Sequence, residues 1–282
     1  MSKAGLIVIT GANRGIGYAL LEQILLNPSN KSKLLLTSRN PELGQQALEG
    51  LAARYPEAKS RLFYQQLDIT SSSSVHSFTK WLGSEFGSLD ILVNNAGIGS
   101  RKDTEDKDYR IPSEEARTTA QTNYFGTIDL THSLMPLLSS QGKVIMVSSN
   151  FGQLLHQGEP VRRFLSDPTL TKEKLWKEME NAVEHASNHR LPEMGYSKQI
   201  YNVSKAFLNA HVRWVLPRHL KDDQACIACN PGWVRTRLGG GNAFLSLEEG
   251  TTSVMRAINS DLTESKALNG KYLDEKGQVD EF

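Results

Sequence analysis

Leu6-Ile7-Val8-Ile9-Thr10-Gly11-Ala12-Asn13-Arg14-Gly15-Ile16-Gly17 joins an apolar run to three glycines at the start of an amphipathic segment. Four apolar residues in succession read as a short strand covered on both faces. Glycines then permit a tight turn and a close approach of backbone to ligand. A helix opening at such a turn aims its unpaired N–H groups and positive dipole end outward, which suits a pyrophosphate. The spacing is Gly-x-x-x-Gly-x-Gly, which differs from Gly-x-Gly-x-x-Gly and lacks the Lys-Ser/Thr ending of an ATP-binding loop. The stretch therefore predicts a strand–turn–helix nucleotide cradle.

Working outward, apolar runs at 6–9, 33–37, 62–66, 89–93, 144–147, 225–229 and 270–273 read as seven strands. Between them, segments near 15–26, 41–54, 72–86, 114–138, 198–220 and 247–260 read as helices. Continuously apolar strands alternating with helices require a sheet covered on both faces. The predicted fold is α/β: a doubly wound, mostly parallel seven-stranded sheet with no second domain. Residues 150–195 break the rhythm, and a structureless loop of that length would be unusual. Within them, Thr171 precedes a stretch with apolar positions Leu175, Met179, Ala182 and Val183, which predicts an added, capped surface helix. The whole chain, 1–282, is expected to form one domain with 150–195 as a helical insertion.

The 282 residues carry a formal net charge of +1, which provides no general attraction to nucleic acid or an anionic membrane. The mixed-sign run at 101–110 reads as a solvated loop. No adequate signal-peptide core follows Met1 and no stretch is long enough to span a membrane, so a cytoplasmic protein is expected. Cys226 and Cys229 fall at odd spacing on one strand and should point to opposite faces, which argues against a disulfide. The seven histidines form no compact metal motif, and no metal is expected.

The residue after the second strand separates the two nicotinamide dinucleotides. An acidic residue there would bind the adenosine ribose and repel a 2′-phosphate; Thr37-Ser38-Arg39 supplies a cation instead. With Arg14 in the glycine turn, Arg39 can bracket a phosphate through charge-assisted hydrogen bonds, which predicts NADP(H). Asp68 after the third strand, with Ile69 beside it, is placed to hold adenine. Asn94-Asn95-Ala96-Gly97 after the fourth makes a turn that flanks the adenosine and braces the sheet.

Far downstream, Tyr201 and Lys205 stand four residues apart, on one face of a helix. An ammonium beside a phenol favours the phenolate and should lower its pKa, making Tyr201 a usable acid or base. A dinucleotide cradle plus a proton donor points to hydride transfer at a carbon–oxygen bond.

These pieces, together with Asn123, Ser148-Ser149 and Pro231-Gly232-Trp233-Val234-Arg235-Thr236, resemble the short-chain dehydrogenases/reductases, and among them the carbonyl reductases. The resemblance spans almost the entire chain and implies a Rossmann fold. It implies that Tyr201 exchanges a proton with the substrate oxygen and that Ser149, rather than Ser148, positions that oxygen. Lys205 would hold the nicotinamide ribose and Asn123 a water leading to solvent. Cofactor contacts are implied for Gly11, Asn13, Arg14, Gly15, Ile16, Gly17, Arg39, Asp68, Ile69, Asn95, Ala96, Gly97, Tyr201 and Lys205. Pro231, Gly232, Val234 and Thr236 would form the cofactor's far wall. Trp233 either lines the substrate mouth or packs on the sheet, and the Gly239-Gly240-Gly241 run is expected to be mobile.

The expected activity is NADPH-dependent reduction of an aldehyde or ketone. The alternatives are an NADP-linked alcohol, steroid or pteridine dehydrogenase, and a non-catalytic NADP(H)-sensing interaction protein. Ser149 and Tyr201 stand 52 positions apart, far more than in most relatives, and the extra segment resembles that of monomeric carbonyl reductases. A helix there would cover the apolar surface that oligomeric relatives use as an interface, so a monomer acting on a small molecule is expected.

Overall fold

A computed structural model describes residues 5–99 and 112–282; the run at 101–110 lies outside them. The strands are β1 (Leu6–Ile9), β2 (Lys33–Ser38), β3 (Leu62–Gln66), β4 (Leu89–Asn94), β5 (Leu138–Val147), β6 (Ala225–Cys229), β7 (Lys271–Leu273) and β8 (Val279–Asp280). The helices are α1 (Gly15–Leu26), α2 (Pro41–Arg54), α3 (Ser72–Glu85), α4 (Ser113–Ala120) and α5 (Thr127–Leu134), then α6 (Glu159–Leu165), α7 (Lys172–Ser187), α8 (Ile200–Ala210), α9 (Thr252–Asn259) and α10 (Leu262–Leu268).

The sheet runs β3-β2-β1-β4-β5-β6-β7-β8, with every pair parallel except the last. Among the described residues it therefore has eight strands rather than the seven expected. The additional strand is an exposed two-residue edge formed by a turn in which Asp274 Oδ1 accepts from the backbone N–H groups of Lys276 and Gln278. Two residues are too few to show any periodicity in sequence.

Alternation along the central strands separates two cores. Val8, Leu35, Leu92, Val144, Met146 and Cys226 face one side, packed with α3, α4, α5, α7 and α8. Ile7, Ile9, Leu36, Val93, Ile145, Ile227 and Cys229 face the other, with α1, α2 and α9. Cys226 and Cys229 are thus buried free thiols on opposite faces. Helix starts follow local chemistry: the Asn40 side chain accepts from the Leu43 N–H ahead of Pro41, and Ser71 and Thr171 cap α3 and α7 likewise.

Three predicted helices are interrupted. The segment expected over 114–138 passes from α4 through a π turn (Gln121–Gly126) into α5 and a 3₁₀ turn (Met135–Leu137). Gly126 lies against the chain after β3, where a Cβ would sit 2.3 Å from the Ile69 carbonyl oxygen, and Thr127 Oγ1 donates to the Thr122 carbonyl five residues back. Tertiary contact and a side-chain bond thus accompany the widened turn. After α8, a π turn (His211–Val215) leads to a 3₁₀ turn containing Pro217, which cannot continue the ladder. The helix expected over 247–260 begins as a 3₁₀ turn (Glu249–Thr251), and α10 follows separately, capped by Asp261.

The segment 150–195 holds α7 as expected, and also the short helix α6. Leu175, Met179, Ala182 and Ala186 of α7 are buried beside Ala116 and Ala120 of α4 and Phe207 of α8, while Trp176 packs against Phe125 at 4.6 Å between ring centroids. Burying side chains such as Leu175 and Met179 contributes about 1.5–3 kcal/mol each, so α7 is fastened to α4 and α8 by its apolar stripe.

Candidate active site

The carboxyl ends of β1 and β4 meet at the glycine turn. Thr10 Oγ1 accepts from the backbone N–H groups of Asn95 and Ala96, each at 2.9 Å, and Asn95 Nδ2 donates to the Thr10 and Gly11 carbonyls at 2.8 and 3.2 Å. Gly11 has φ +61°, and a Cβ on it would come within 2.9 Å of Ala96 Cα; a Cβ on Gly17 would meet Asn95 Nδ2 at 2.5 Å. The side chain of Asn95 is therefore a brace between two strand ends. Asn94 braces the helical layer in turn, donating to Thr131 Oγ1 at 3.0 Å.

Gly15 differs from its neighbours: the nearest atom to a Cβ there is the Thr236 methyl at 3.7 Å, so the start of α1 faces open space bordered by the chain after β6. Asn13 is half-buried in this turn, Arg14 is exposed, and Ile16 packs on the second core. Arg39, also exposed, follows β2, and among the described residues neither arginine pairs with a carboxylate. After β3, Asp68 Oδ1 accepts from the Thr70 N–H and hydroxyl at 2.9 and 2.7 Å, beside the buried Ile69.

A strip from Gly97 to Gly99 links this end to the helix carrying Tyr201. A Cβ on Gly97 would lie 3.4 Å from Asn123 Oδ1 and 3.7 Å from Lys205 Nζ, and one on Gly99 would lie 3.5 Å from the Tyr201 ring. Asn123, in the π turn, accepts from Ile98 N–H at 2.9 Å and donates to the Ile98 carbonyl at 2.8 Å and to Ser204 Oγ at 3.2 Å. Its amide is engaged at both ends in holding the strip. A π turn is a frequent feature of functional helices.

Lys205 is 5% exposed, donates from Nζ to the Val147 carbonyl at 2.7 Å, and sits 5.9 Å from the centre of the Tyr201 ring. Burial pulls its pKa down to about 8. Burial holds the Tyr201 phenol above the ordinary tyrosine value, against a lowering by the neighbouring Ser149 side chain. The net shift is therefore upward and set by desolvation, in place of the lowering expected from Lys205. Extended backbone turns the adjacent hydroxyls apart: Ser148 Oγ donates to Asn209 Oδ1, and Ser149 stays beside Tyr201.

The chain after β6 forms the opposite border. Pro231 and Val234 are buried, Gly232 turns with φ +75°, and Val234 bridges to Leu245. Thr236 Oγ1 accepts from Gly239 N–H at 3.0 Å. Trp233 is 41% exposed; it donates to the Gly239 carbonyl at 2.7 Å and meets Phe244 edge-on, so it packs on its own loop rather than on the sheet. The glycine run is consequently tied at Gly239 and Gly240, the latter donating to the Thr236 carbonyl. A separate groove runs from Arg39 past Thr70, Arg117 and Gln121 to Val183 of α7; a larger one lies between α3, α5 and Lys172, and neither reaches Tyr201.

Residues 5–161 match the short chain dehydrogenase family model. The chain belongs to the short-chain dehydrogenases. It is 33% identical to carbonyl reductase (NADPH) 1 of Bos taurus over 96% of each chain. It is 31% identical to (+)-neomenthol dehydrogenase of Arabidopsis thaliana over 98% of this chain and 97% of that relative. Salutaridine reductase from Papaver somniferum superposes with a TM-score of 0.83 at 26% identity, covering 95% of this chain and 99% of that one.

In this short-chain dehydrogenase, sequence reasoning placed Thr10 in the cradle without its bracing role and missed the supports Ser204, Gly152 and Asn209. The signal for Asn209 was available, since it follows Tyr201 and Lys205 at the same four-residue interval. Gly152 had none, because its need for no side chain arises from contact with α8. Among the described residues, no group of three or more His, Cys, Asp or Glu is arranged to hold a metal.

Proposed function

We propose that this chain is an NADPH-dependent carbonyl reductase in which Tyr201 is the general acid. The observation that carries this reading is the juxtaposition of Ser149, Tyr201 and Lys205 beside the strip leading from the glycine turn. The residues suit the cofactor: the turn is open at Gly15, Arg14 and Arg39 offer guanidinium groups for a 2′-phosphate, and Lys205 brings a buried ammonium to the ribose end. NADPH supplies the hydride.

The chain's own groups manage the oxygen. A phenol held above its usual pKa is protonated at neutral pH, the state required of a proton donor to a carbonyl oxygen. The Ser149 hydroxyl fixes that oxygen, and the Lys205 ammonium stabilises the phenolate left behind. Asn123 keeps the Gly97–Gly99 strip against both. Asp68, Ile69, Asn95, Ala96 and Gly97 border the adenosine, and Pro231, Gly232, Val234 and Thr236 the nicotinamide. Exposed Trp233, Leu238 and Phe244 favour an apolar substrate.

The name of the Arabidopsis thaliana relative favours a second reading, oxidation of an alcohol, in which Tyr201 would accept the proton. A screen of NADPH oxidation over quinones, aromatic aldehydes, diketones and ketosteroids, run in parallel with NADH, tests the proposal. Turnover with NADPH supports it; tight cofactor binding without turnover on any of them would favour the sensing protein.

We read 1–282 as one domain and the protein as a monomer, because α7 covers the apolar faces of α4 and α8. Light scattering that gives a stable dimer or tetramer would contradict this. No helix among the described residues is long and apolar enough to cross a membrane. Two buried free thiols accord with a cytoplasmic setting.

A further inference from the structure

Helix α8 presents Tyr201, Lys205 and Asn209 at intervals of four residues, one stripe along the helix. The first two border the site. Asn209 is buried at 1% exposure, and a buried amide needs partners for both its ends. It finds them on either side of Ser149: Oδ1 accepts from Ser148 Oγ at 2.5 Å, and Nδ2 donates to the Gly152 carbonyl at 3.1 Å.

Between those two anchors lies the 3₁₀ turn (Asn150–Gly152) that Ser149 caps, its Oγ accepting from Phe151 N–H at 3.2 Å. The turn lies directly on α8. A Cβ on Gly152 would come within 2.8 Å of the Lys205 carbonyl carbon and 2.9 Å of Lys205 Cβ and Asn209 Nδ2. The upstream side is held by the sheet as well, since Ser148 N–H donates to the Cys229 carbonyl at 2.7 Å. Downstream, the Gly152 carbonyl reaches α8 through Asn209.

We propose that Asn209 is a positioning residue: its amide clamps both flanks of Ser149 to the helix bearing Tyr201 and so sets where the Ser149 hydroxyl stands relative to the Tyr201 phenol. This rests on Ser149 and Tyr201 being the pair that handles the substrate oxygen. Ser148 and Gly152 act with it, one as the donor and one as the close contact. Without the amide, the Ser148 hydroxyl and the Gly152 carbonyl lose their partner on α8, and the turn is free to shift relative to Tyr201.

The test is a cycle of Asn209→Leu, Ser149→Ala and the double variant, assayed for kcat and for KM of NADPH and of a ketone that the enzyme reduces. Displacing a catalytic group by about 1 Å costs on the order of 100-fold, so Asn209→Leu should lower kcat by roughly 10- to 100-fold. KM for NADPH should stay within about twofold. In the Ser149→Ala background the same substitution should have almost no further effect on kcat, because it acts through Ser149. Gly152→Ala, which pushes the turn off α8 while leaving the amide in place, should show the same dependence on Ser149. It serves as the independent variant if Asn209→Leu does not fold.

Equal losses from Asn209→Leu in both backgrounds would overturn the proposal, because a generally structural residue behaves so. A large loss in Ser149→Ala with none in Asn209→Leu would overturn it too and leave the reading of the site intact. If Ser149→Ala itself keeps full activity, the underlying reading fails first.

Discussion

The proposed nucleotide end and the proposed proton-transfer end of this site are built in opposite ways. The cradle at residues 10–17 is contiguous in sequence and shaped by backbone. Its braces, Thr10 and Asn95, point inward, and the neighbouring arginines, Arg14 and Arg39, stand in solvent. The proton-transfer end draws Asn123, Ser149, Tyr201 and Lys205 from distant elements and buries Asn123, Ser149 and Lys205. Burial shifts the pKa values of Tyr201 and Lys205, upward for the phenol and downward for the ammonium. On the proposed reading one end works through exposed guanidinium groups, the other through desolvated groups whose protonation depends on their surroundings. Substitutions at the first should therefore change which cofactor is held, and at the second how fast the reaction runs.

The largest contrast is expected for Tyr201→Phe. Removing the proton donor should lower kcat by about 100- to 10,000-fold, with NADPH affinity, followed by fluorescence titration, close to normal. Losing affinity and rate together would mean that the two ends are not separable.

Arg39→Asp probes the other end. A charge-assisted contact contributes about 1.5–3 kcal/mol, so NADPH should bind roughly 10- to 100-fold more weakly, while NADH gains relative to it through lost repulsion at the ribose. Comparing kcat/KM for the two cofactors checks this. Equal loss for both would indicate damage to the turn after β2.

The smallest effect is on the pH dependence of stability. Lys205 is held at about 8 in the folded chain, below the ordinary lysine value of 10.5. Between these values the unfolded chain binds a proton that the folded chain has released, so stability should rise as pH increases through this window and fall as pH drops. Buried Lys143, also held at about 8, acts in the same window. Lys205→Met should flatten the rise in Tm of the cofactor-free protein between these pH values and leave the part due to Lys143. An unchanged slope would show that Lys205 does not titrate there.

The same division explains what could be read before the fold was known. The bounds of β1, α1, α2, β3 and β6 agree residue for residue with the expectation, because hydrophobic period, Pro41 and the glycine turn are local signals. The capped helix α7 was also legible, as Thr171 and its apolar stripe lie in one short stretch. The π turn around Asn123 was not, since it coincides with Gly126 meeting the Ile69 carbonyl across the fold. The direction of the Tyr201 shift was misjudged for a related reason. A nearby cation is visible as spacing, but the burial that sets the direction is a property of the packed site. The exposed strand β8 and the clamp at Asn209 likewise depend on partners remote in sequence.

The most direct measurement is single-turnover stopped-flow of NADPH oxidation in the wild-type enzyme and in Tyr201→Phe, across pH, with a ketone that the wild type reduces. The account predicts a hydride-transfer step slowed by at least about 100-fold in the variant, with the wild-type rate falling at alkaline pH as the phenol loses its proton and the variant lacking that titration. A variant that transfers hydride at the wild-type rate over the whole range would contradict the assignment of Tyr201 as the acid.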